Sequence, residues 1–314
     1  MPTHRTRLLT TSTLSPTRRS VGNYPLAAAP TIPQKFVLGL VLSISLGTAA
    51  QAADWSDTSL SWRYGTKFAE PYEGNDISKN ILNFSHVSGF KYGTNFFSID
   101  ALFSDSKDPS GPDGKSGAQE VYAVYRNTLD IGKIMNKDLK VGVAKGFGIT
   151  SGFDFNTKTD AGYNSKKRML VLGPTVMFDV PGFLNVSLLA LWESNAPCND
   201  YTNTCVSRYS YKVHPMLTAA WGIPIGNSAF SFEGYANLIA PKGKDEFGAQ
   251  TKTEINIDAQ IMADVGKLFW DKPGTFKAGI EYQYWKNKFG NDANGPAGSG
   301  AFAKTPMVRV EYHF

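Results

Sequence analysis

Ionisable and aromatic side chains recur at alternate positions along several segments of the 314-residue chain, each time opposite apolar side chains. Acids, bases and flat rings together suit a polar, uncharged, planar solute, because rings stack on a flat group and charged groups bond to hydroxyls. A pore for a simple ion would more often show one dominant sign. Alternatively, these opposite charges could neutralise one another and fill the space between the strands. The candidate solute-binding residues are Arg63, Asp100, Tyr122, Arg126, Lys212, Glu233, Tyr235, Glu254 and Trp285.

Patterns for catalysis or metal binding are scarce in this sequence. Four histidines occur, none at the spacing of metal ligands. No Gly-x-Ser-x-Gly motif, phosphate loop or dinucleotide fingerprint follows residue 52. His214 is the one sensible general base for a hydrolase, but alternation places it on the polar face of its segment, where an ordinary polar side chain is favoured. The sequence therefore predicts no enzyme, no metal site and no cofactor.

Period-two alternation defines the elements that carry the candidate residues. Between Thr253 and Val265, Ile255, Ile257 and Ile261 share one face and alternate with polar residues on the other. Successive side chains of a strand point to opposite sides of the sheet, so this pattern predicts a β-strand. Twelve such strands are predicted near residues 58–68, 79–90, 94–105, 120–130, 139–150, 168–179, 184–194, 207–222, 229–239, 252–265, 275–286 and 304–314.

The breaks between these strands alternate in length. Short breaks such as 91–93 and 180–183 alternate with long ones such as 106–119 and 287–303. An even number of strands of about ten residues, with short turns on one side and long loops on the other, predicts a closed antiparallel transmembrane β-barrel. A water-soluble β-sandwich would also alternate, but its polar face would be richer in Lys and Glu. We expect short periplasmic turns and long extracellular loops, because strands in lipid must close without a free edge.

Residues 1–52 are predicted to be an N-terminal extension and cleaved signal peptide, and residues 53–314 the barrel. A basic flank ending at Lys35 precedes the apolar run 36–46 and the small-x-small site Ala50-Gln51-Ala52. The five basic residues of this segment account for the net charge of +5, leaving 27 basic and 27 acidic residues in the remainder. The basic excess therefore does not indicate a nucleic-acid partner.

Cysteine placement and the C-terminus fit an exported chain. Cys198 and Cys205 lie in one long loop, and export through an oxidising compartment predicts a disulfide bond between them. The chain ends in apolar or aromatic residues at alternate positions, the last being Phe314. This ending resembles the signal by which Gram-negative outer-membrane proteins engage the barrel-assembly machinery. We therefore expect a barrel surrounded by outer-membrane lipid.

Several segments resemble one channel family. Phe90-Lys91-Tyr92-Gly93 leading into Asn95-Phe96-Phe97-Ser98-Ile99-Asp100 is similar to the second hairpin of the Tsx/OmpK nucleoside-specific channels. Tyr125-Arg126-Asn127-Thr128-Leu129 and the opening Ser61-Trp62-Arg63-Tyr64-Gly65-Thr66-Lys67-Phe68 also resemble that family. The resemblance implies a narrow twelve-stranded barrel that passes nucleosides along luminal aromatic and ionisable residues. Arg126 matches the family's arginine in the fourth strand, but Tyr122, Val124 and Tyr125 stand where the family often has acids and a proline.

These observations predict an outer-membrane channel that admits nucleosides or similar small polar solutes by diffusion. The alternatives are a plugged structural barrel that serves as an adhesin or phage receptor, and an outer-membrane hydrolase that would need His214.

Overall fold

The computed structural model describes residues 53–314, so the predicted signal peptide lies outside the described residues. In that range twelve long strands alternate with turns and loops, and three two-residue strands occur in one long connection. No helix of the described range is long and apolar enough to cross a membrane. The strands are β1 Trp55–Phe68, β2 Ile77–Phe90, β3 Gly93–Ser104, β4 Gln119–Asp130, β5 Ala144–Lys158, β6 Arg168–Phe178, β7 Phe183–Asn195, β8 Cys198–Asn199, β9 Thr204–Cys205, β10 Tyr209–Ser210, β11 His214–Pro224, β12 Phe230–Ile239, β13 Glu254–Asp264, β14 Phe276–Lys286 and β15 Phe302–His313. The helical turns are Ile131–Met135, Val265–Phe269, Lys288–Gly290 and Gly298–Ala301.

The twelve long strands close into a barrel. Each pairs antiparallel with its neighbour along the chain, β7 pairs with both β6 and β11, and the first strand pairs with the last. In the seam between β1 and β15, Leu60 lies opposite Tyr312 and Tyr64 opposite Val308. The ring of pairings leaves none of the twelve strands with a free edge, which confirms the predicted closed antiparallel barrel of twelve strands.

Barrel strands carry apolar side chains on the outer surface and polar side chains in the interior, which is the reverse of a water-soluble protein. On β13 the outward Ile257 and Ile261 are 36% and 45% exposed, whereas the inward Asp258 and Gln260 are 5% and 8% exposed. The alternation predicted from the sequence therefore places apolar groups on the outer surface and polar groups in the lumen. A surface of this kind matches hydrocarbon, and a lumen of this kind tolerates charge.

Buried apolar side chains inside the barrel form two small clusters. One lies where β1, β2 and β15 meet, and the other lies where β6, β7 and β11 meet. They leave most of the luminal surface to polar side chains. The first cluster contains Phe68, Ile77, Ile81 and Met307, and the second contains Val171, Leu189, Leu191 and Met216.

The fifth strand differs most from its prediction. It was expected over 139–150 and runs instead over Ala144–Lys158. The carboxylate of Asp130 accepts a hydrogen bond from the backbone N–H of Lys133 and caps the turn Ile131–Met135, which occupies the start of the connection. Gly142, at φ 55°, then allows a tight turn before the strand begins. The strand consequently extends into what was expected to be a long loop.

Candidate functional site

The middle of the lumen contains a chain of ion pairs. Arg63 of β1 contacts Asp100 of β3 and places Nη1 3.2 Å from Oε1 of Glu281 on β14. Arg309 of β15 places its Nη1 2.9 Å from the other oxygen of Glu281, whose side chain is fully buried. Strand β15 lies between β14 and β1 in the barrel, so the ion pair between Arg63 and Glu281 crosses over it. Two of the predicted residues, Arg63 and Asp100, are thus brought together.

Two more predicted residues meet on one carboxylate. The hydroxyl of Tyr122 donates to Oδ2 of Asp154 at 2.8 Å, and Arg126 contacts Oδ1 of the same side chain. Both belong to β4 and Asp154 belongs to β5. Sequence reasoning missed Asp154 because it ended the fifth strand at residue 150. The signal was present, since Phe153 and Phe155 flank Asp154 and lie on the outer face.

Most of the remaining predicted residues also face the lumen. Nε1 of Trp285 donates to Oε1 of Glu254 at 2.6 Å. Glu233 accepts from Nζ of Lys277 at 2.9 Å. Tyr235 lies opposite Asp258 of β13, and 38% of it is exposed, so it faces open space in the lumen. The structure therefore places rings and charges on the luminal surface at several depths of the barrel.

Lys212 was predicted to lie on the luminal face of a barrel strand, and this prediction is wrong. Its strand was predicted over 207–222 but begins at His214. The backbone N–H of Lys212 donates to the carbonyl of Lys242 at 3.2 Å, so this segment pairs with the β12–β13 loop and its side chain is exposed. His214 is buried, and its Nδ1 lies 2.8 Å from the carbonyl oxygen of Lys212.

A five-residue ion cluster, which we call the rim cluster, lies where the long loops meet the barrel. It consists of Glu70, Lys79, Asp108, Lys158 and Lys288. Oε1 of Glu70 lies 2.6 Å from Nζ of Lys79, 3.1 Å from Nζ of Lys288 and 3.5 Å from Nζ of Lys158. Asp108 lies 2.9 Å from Lys158 and 3.5 Å from Lys79. All five side chains are less than 10% exposed.

Electrostatics in the rim cluster favour the ionised carboxylate. Burial alone would raise the pKa of Glu70, but the attraction of Lys158, Lys288 and Lys79 outweighs it and holds that pKa well below its usual range. Burial also lowers the pKa of Lys288, and the neighbouring Glu70 offsets this only in part. Glu70 is therefore the charge that makes the burial of Lys288 tolerable.

A second group of buried and half-buried polar side chains anchors the β12–β13 loop. Glu246 of that loop accepts hydrogen bonds from the hydroxyls of Tyr163 and Tyr211 and from Nδ2 of Asn195. Burial raises the pKa of Tyr163, and the nearby Glu246 raises it further. Burial raises the pKa of Tyr211 as well, so both hydroxyls stay protonated and donate to the carboxylate. The β12–β13 loop is held against the opening of the barrel by these three donors.

The long loops leave a narrow cavity of about 90 Å³ at this end of the barrel. Its wall includes rings from three loops, Tyr72, Tyr163 and Phe289, together with Lys158 and Asp160. The loops thus constrict the opening to the lumen. This arrangement was not predicted from the sequence, because loop positions depend on pairs such as Lys288 with Glu70 that lie far apart in the chain.

Cys198 and Cys205 form a disulfide bond across the small β8–β9 hairpin, with their Cα atoms 4.0 Å apart. The hairpin lies in the connection between β7 and β11, outside the barrel wall. The bond stiffens that loop and contributes no group to the lumen.

Comparisons with known proteins give matches among solved structures only. No family model matches the sequence, and no curated protein matches it. The chain is similar to the KdgM porin at 12% identity and a TM-score of 0.39, over 82% of this chain and 99% of that one. It is similar to the translocator domain of the autotransporter NalP from Neisseria meningitidis at 12% identity and a TM-score of 0.42, over 89% and 96%. The outer membrane protein opdK from Pseudomonas aeruginosa matches at 9% identity and a TM-score of 0.23, over 83% and 99%.

These three structural neighbours are a porin, the translocator domain of an autotransporter and an outer membrane protein. The resemblance to the Tsx/OmpK channels rests on the quoted residues alone.

Proposed function

We propose that the protein is an outer-membrane channel through which nucleosides or similar small polar solutes diffuse. The observation that carries this proposal is the composition of the luminal surface, where charged side chains of both signs lie among aromatic rings. The outer face of the same barrel is apolar. Water and polar solutes can pass such an interior, whereas the outer face matches lipid. The resemblance to the Tsx/OmpK family narrows the solute to a nucleoside.

The luminal groups suit a solute with a flat base and a hydroxylated sugar. The base can stack on Tyr122, Tyr235 or Trp285, and the hydroxyls can bond to Asp100, Arg126 or Glu254. Each of these charged groups already has a protein partner, so a solute competes for its bonds and gains only weak affinity. Weak binding is what a channel requires, because the solute must also leave.

A plugged barrel is the second candidate function, and one observation favours it. The Glu281 side chain is fully buried between Arg63 and Arg309, so ion pairs fill part of the cross-section in the middle of the lumen. If these pairs never separate, the barrel would act through its loops, as an adhesin or phage receptor. Conductance distinguishes the two functions.

Single-channel recording in planar bilayers tests the proposal. We expect conducting events with the purified barrel, and block by adenosine at sub-millimolar to millimolar concentration that sucrose does not cause. Arg126→Ala should relieve the block while the barrel remains folded, because luminal changes tune selectivity more than insertion. Arg208→Ala, at an exposed arginine outside the barrel strands, is the matched control and should behave as wild type.

The results separate the alternatives. The nucleoside assignment is wrong if adenosine and sucrose change the current equally, and a general channel then remains. Absence of conductance from a folded barrel would support the plugged alternative instead.

A further inference from the structure

Two aromatic residues near the opening of the barrel adopt a backbone conformation that aromatic residues rarely adopt. Six non-glycine residues in the described range have positive φ, and four of them are Asn or Asp, which tolerate it. The other two are Tyr72, at φ 70°, and Phe289, at φ 60°. A bulky residue in this region is a genuine outlier, and such strain persists only where the surrounding structure enforces it.

Both outliers line the same cavity. Tyr72 belongs to the β1–β2 loop and Phe289 to the β14–β15 loop, and both contribute to the wall of the 90 Å³ space described above. The backbone N–H of Tyr72 donates to the carbonyl of Ala297 at 3.1 Å, so the two loops are tied together. Two unrelated segments are thus each strained in a way that brings a ring to one place.

The rings differ in how much of their surface is already covered. The rings of Phe289 and Trp285 pack edge to face with their centroids 4.9 Å apart. Nζ of Lys167 lies 3.8 Å from the centroid of the Phe289 ring. Tyr72 is 69% exposed, and Phe247, which also lines the cavity, is 68% exposed. Phe289 therefore has its contacts within the protein, whereas Tyr72 and Phe247 have ring surface free for a ligand.

The charges around the cavity disfavour an anionic ligand. Lys158 lies 3.1 Å from Asp160, and Lys167 lies 3.5 Å from Glu193, so each lysine at the wall already has a carboxylate. An anion would have to displace one of these partners, and it would also meet Glu120, Asp245 and Glu246 on the same wall. A flat ring of a ligand, in contrast, can stack on an exposed aromatic side chain whatever substituents the ligand ring carries, as nucleic-acid bases do.

We propose that the mouth of this cavity is an outer binding site for a solute with a flat heterocyclic ring and no negative charge, which stacks on the exposed rings of Tyr72 and Phe247 before it reaches the lumen. The choice of adenosine as the probe rests on the proposed nucleoside function. The site is separate from the luminal residues around Arg126, because its rings belong to the loops. It gives a reason for the strain at Tyr72, since glycine would satisfy the backbone there at no cost but would supply no ring.

Isothermal titration of the purified barrel with adenosine tests this site. Tyr72→Gly suits the positive φ and should leave thermal stability unchanged or higher, yet weaken adenosine binding about tenfold, the loss typical of one stacked ring. Phe247→Ala should weaken binding similarly, and Tyr72→Phe should preserve it. Asn203→Gly is the matched control, because Asn203 is exposed, has φ 50° and does not line the cavity.

Each outcome bears on one proposal. Wild-type affinity in Tyr72→Gly, ribose binding as tight as adenosine binding, or no adenosine binding by the wild type would overturn the outer site. If Arg126→Ala loses adenosine binding while Tyr72→Gly and Phe247→Ala keep it, the outer site is also overturned and the luminal proposal is retained. The channel function is judged separately, by the rate at which adenosine swells liposomes that contain the wild-type barrel. No swelling together with weakened binding in Tyr72→Gly would overturn the channel and retain the site.

Discussion

Replacement of Glu70 by Gln should release the loops that constrict the barrel. In the wild type Glu70 is the shared partner of Lys79, Lys158 and Lys288. Lys79 and Lys158 would keep Asp108 in the variant, whereas Lys288 would lose its carboxylate while its side chain is 5% exposed. Removing one partner of a buried ion pair typically costs about 3–5 kcal/mol. Lys288 would keep the hydrogen bond from its Nζ to the carbonyl of Ala69, but it is the one lysine of the three left without a carboxylate, so about one such cost is expected.

The cost should appear in the loop rather than in the barrel wall. Lys288 lies in the β14–β15 loop, so the cheapest response is for that loop to move and hydrate the ammonium group. A cost of about 3 kcal/mol raises the population of the open loop by roughly 100-fold. We expect faster cleavage by chymotrypsin after Phe289 and larger single-channel conductance, with the twelve-stranded barrel still folded.

Two further variants make the reasoning refutable. Glu70→Gln combined with Lys288→Met removes both partners and should recover much of the wild-type protease resistance, because no unpaired buried charge remains. Asp113→Asn breaks a pair with Lys115 whose side chains are 82% and 62% exposed, and should change nothing measurable. If Glu70→Gln matches wild type in both cleavage and conductance, the rim cluster does not hold the loop.

Three other outcomes are expected. Because the pKa of Glu70 is lowered, its contribution to loop closure is complete above the ordinary pKa of a glutamic acid and is lost as the pH falls through the lowered value. The protease resistance of the wild type should therefore decline in acid, and that of Glu70→Gln should decline less. The double variant Cys198→Ser and Cys205→Ser should still insert, as measured by heat-modifiable migration, because the bond lies in a loop; failure to insert would contradict this. Deletion of Phe314 should leave protease-sensitive chain outside the membrane, and a normal yield of folded barrel would show that the terminal ring is dispensable.

The strands could be predicted because one physical constraint acts on every residue in them. Lipid outside and polar space inside impose alternation, so a strand such as β13 carries its orientation in its own sequence. The prediction was less accurate where local chemistry competes with alternation. The cap formed by Asp130 displaced the start of β5, and the backbone pairing of Lys212 with Lys242 delayed β11.

The candidate site was predictable in part for the same reason. Alternation identifies which face a residue occupies, so Arg63 and Asp100 could be assigned to the lumen. It carries no information on which luminal residues meet, and the partnership of Arg126 with Asp154 emerged only from the strand register. The loops are still harder, because Lys288 and Glu70 are brought together by closure of the whole barrel and by no local pattern.

The seam between β1 and β15 has a consequence for the order in which the protein folds. His313 and Asp57, whose side chains lie 2.9 Å apart across it, are separated by 256 positions, and the luminal pair of Arg63 with Glu281 by 218. Contacts of such range form only after a large loop-closure entropy has been overcome, so the seam forms last. Until then the first and last strands are unpaired edges that can recruit another copy of the chain. The topology therefore requires that β1 and β15 avoid pairing with other copies of the chain until they have paired with each other.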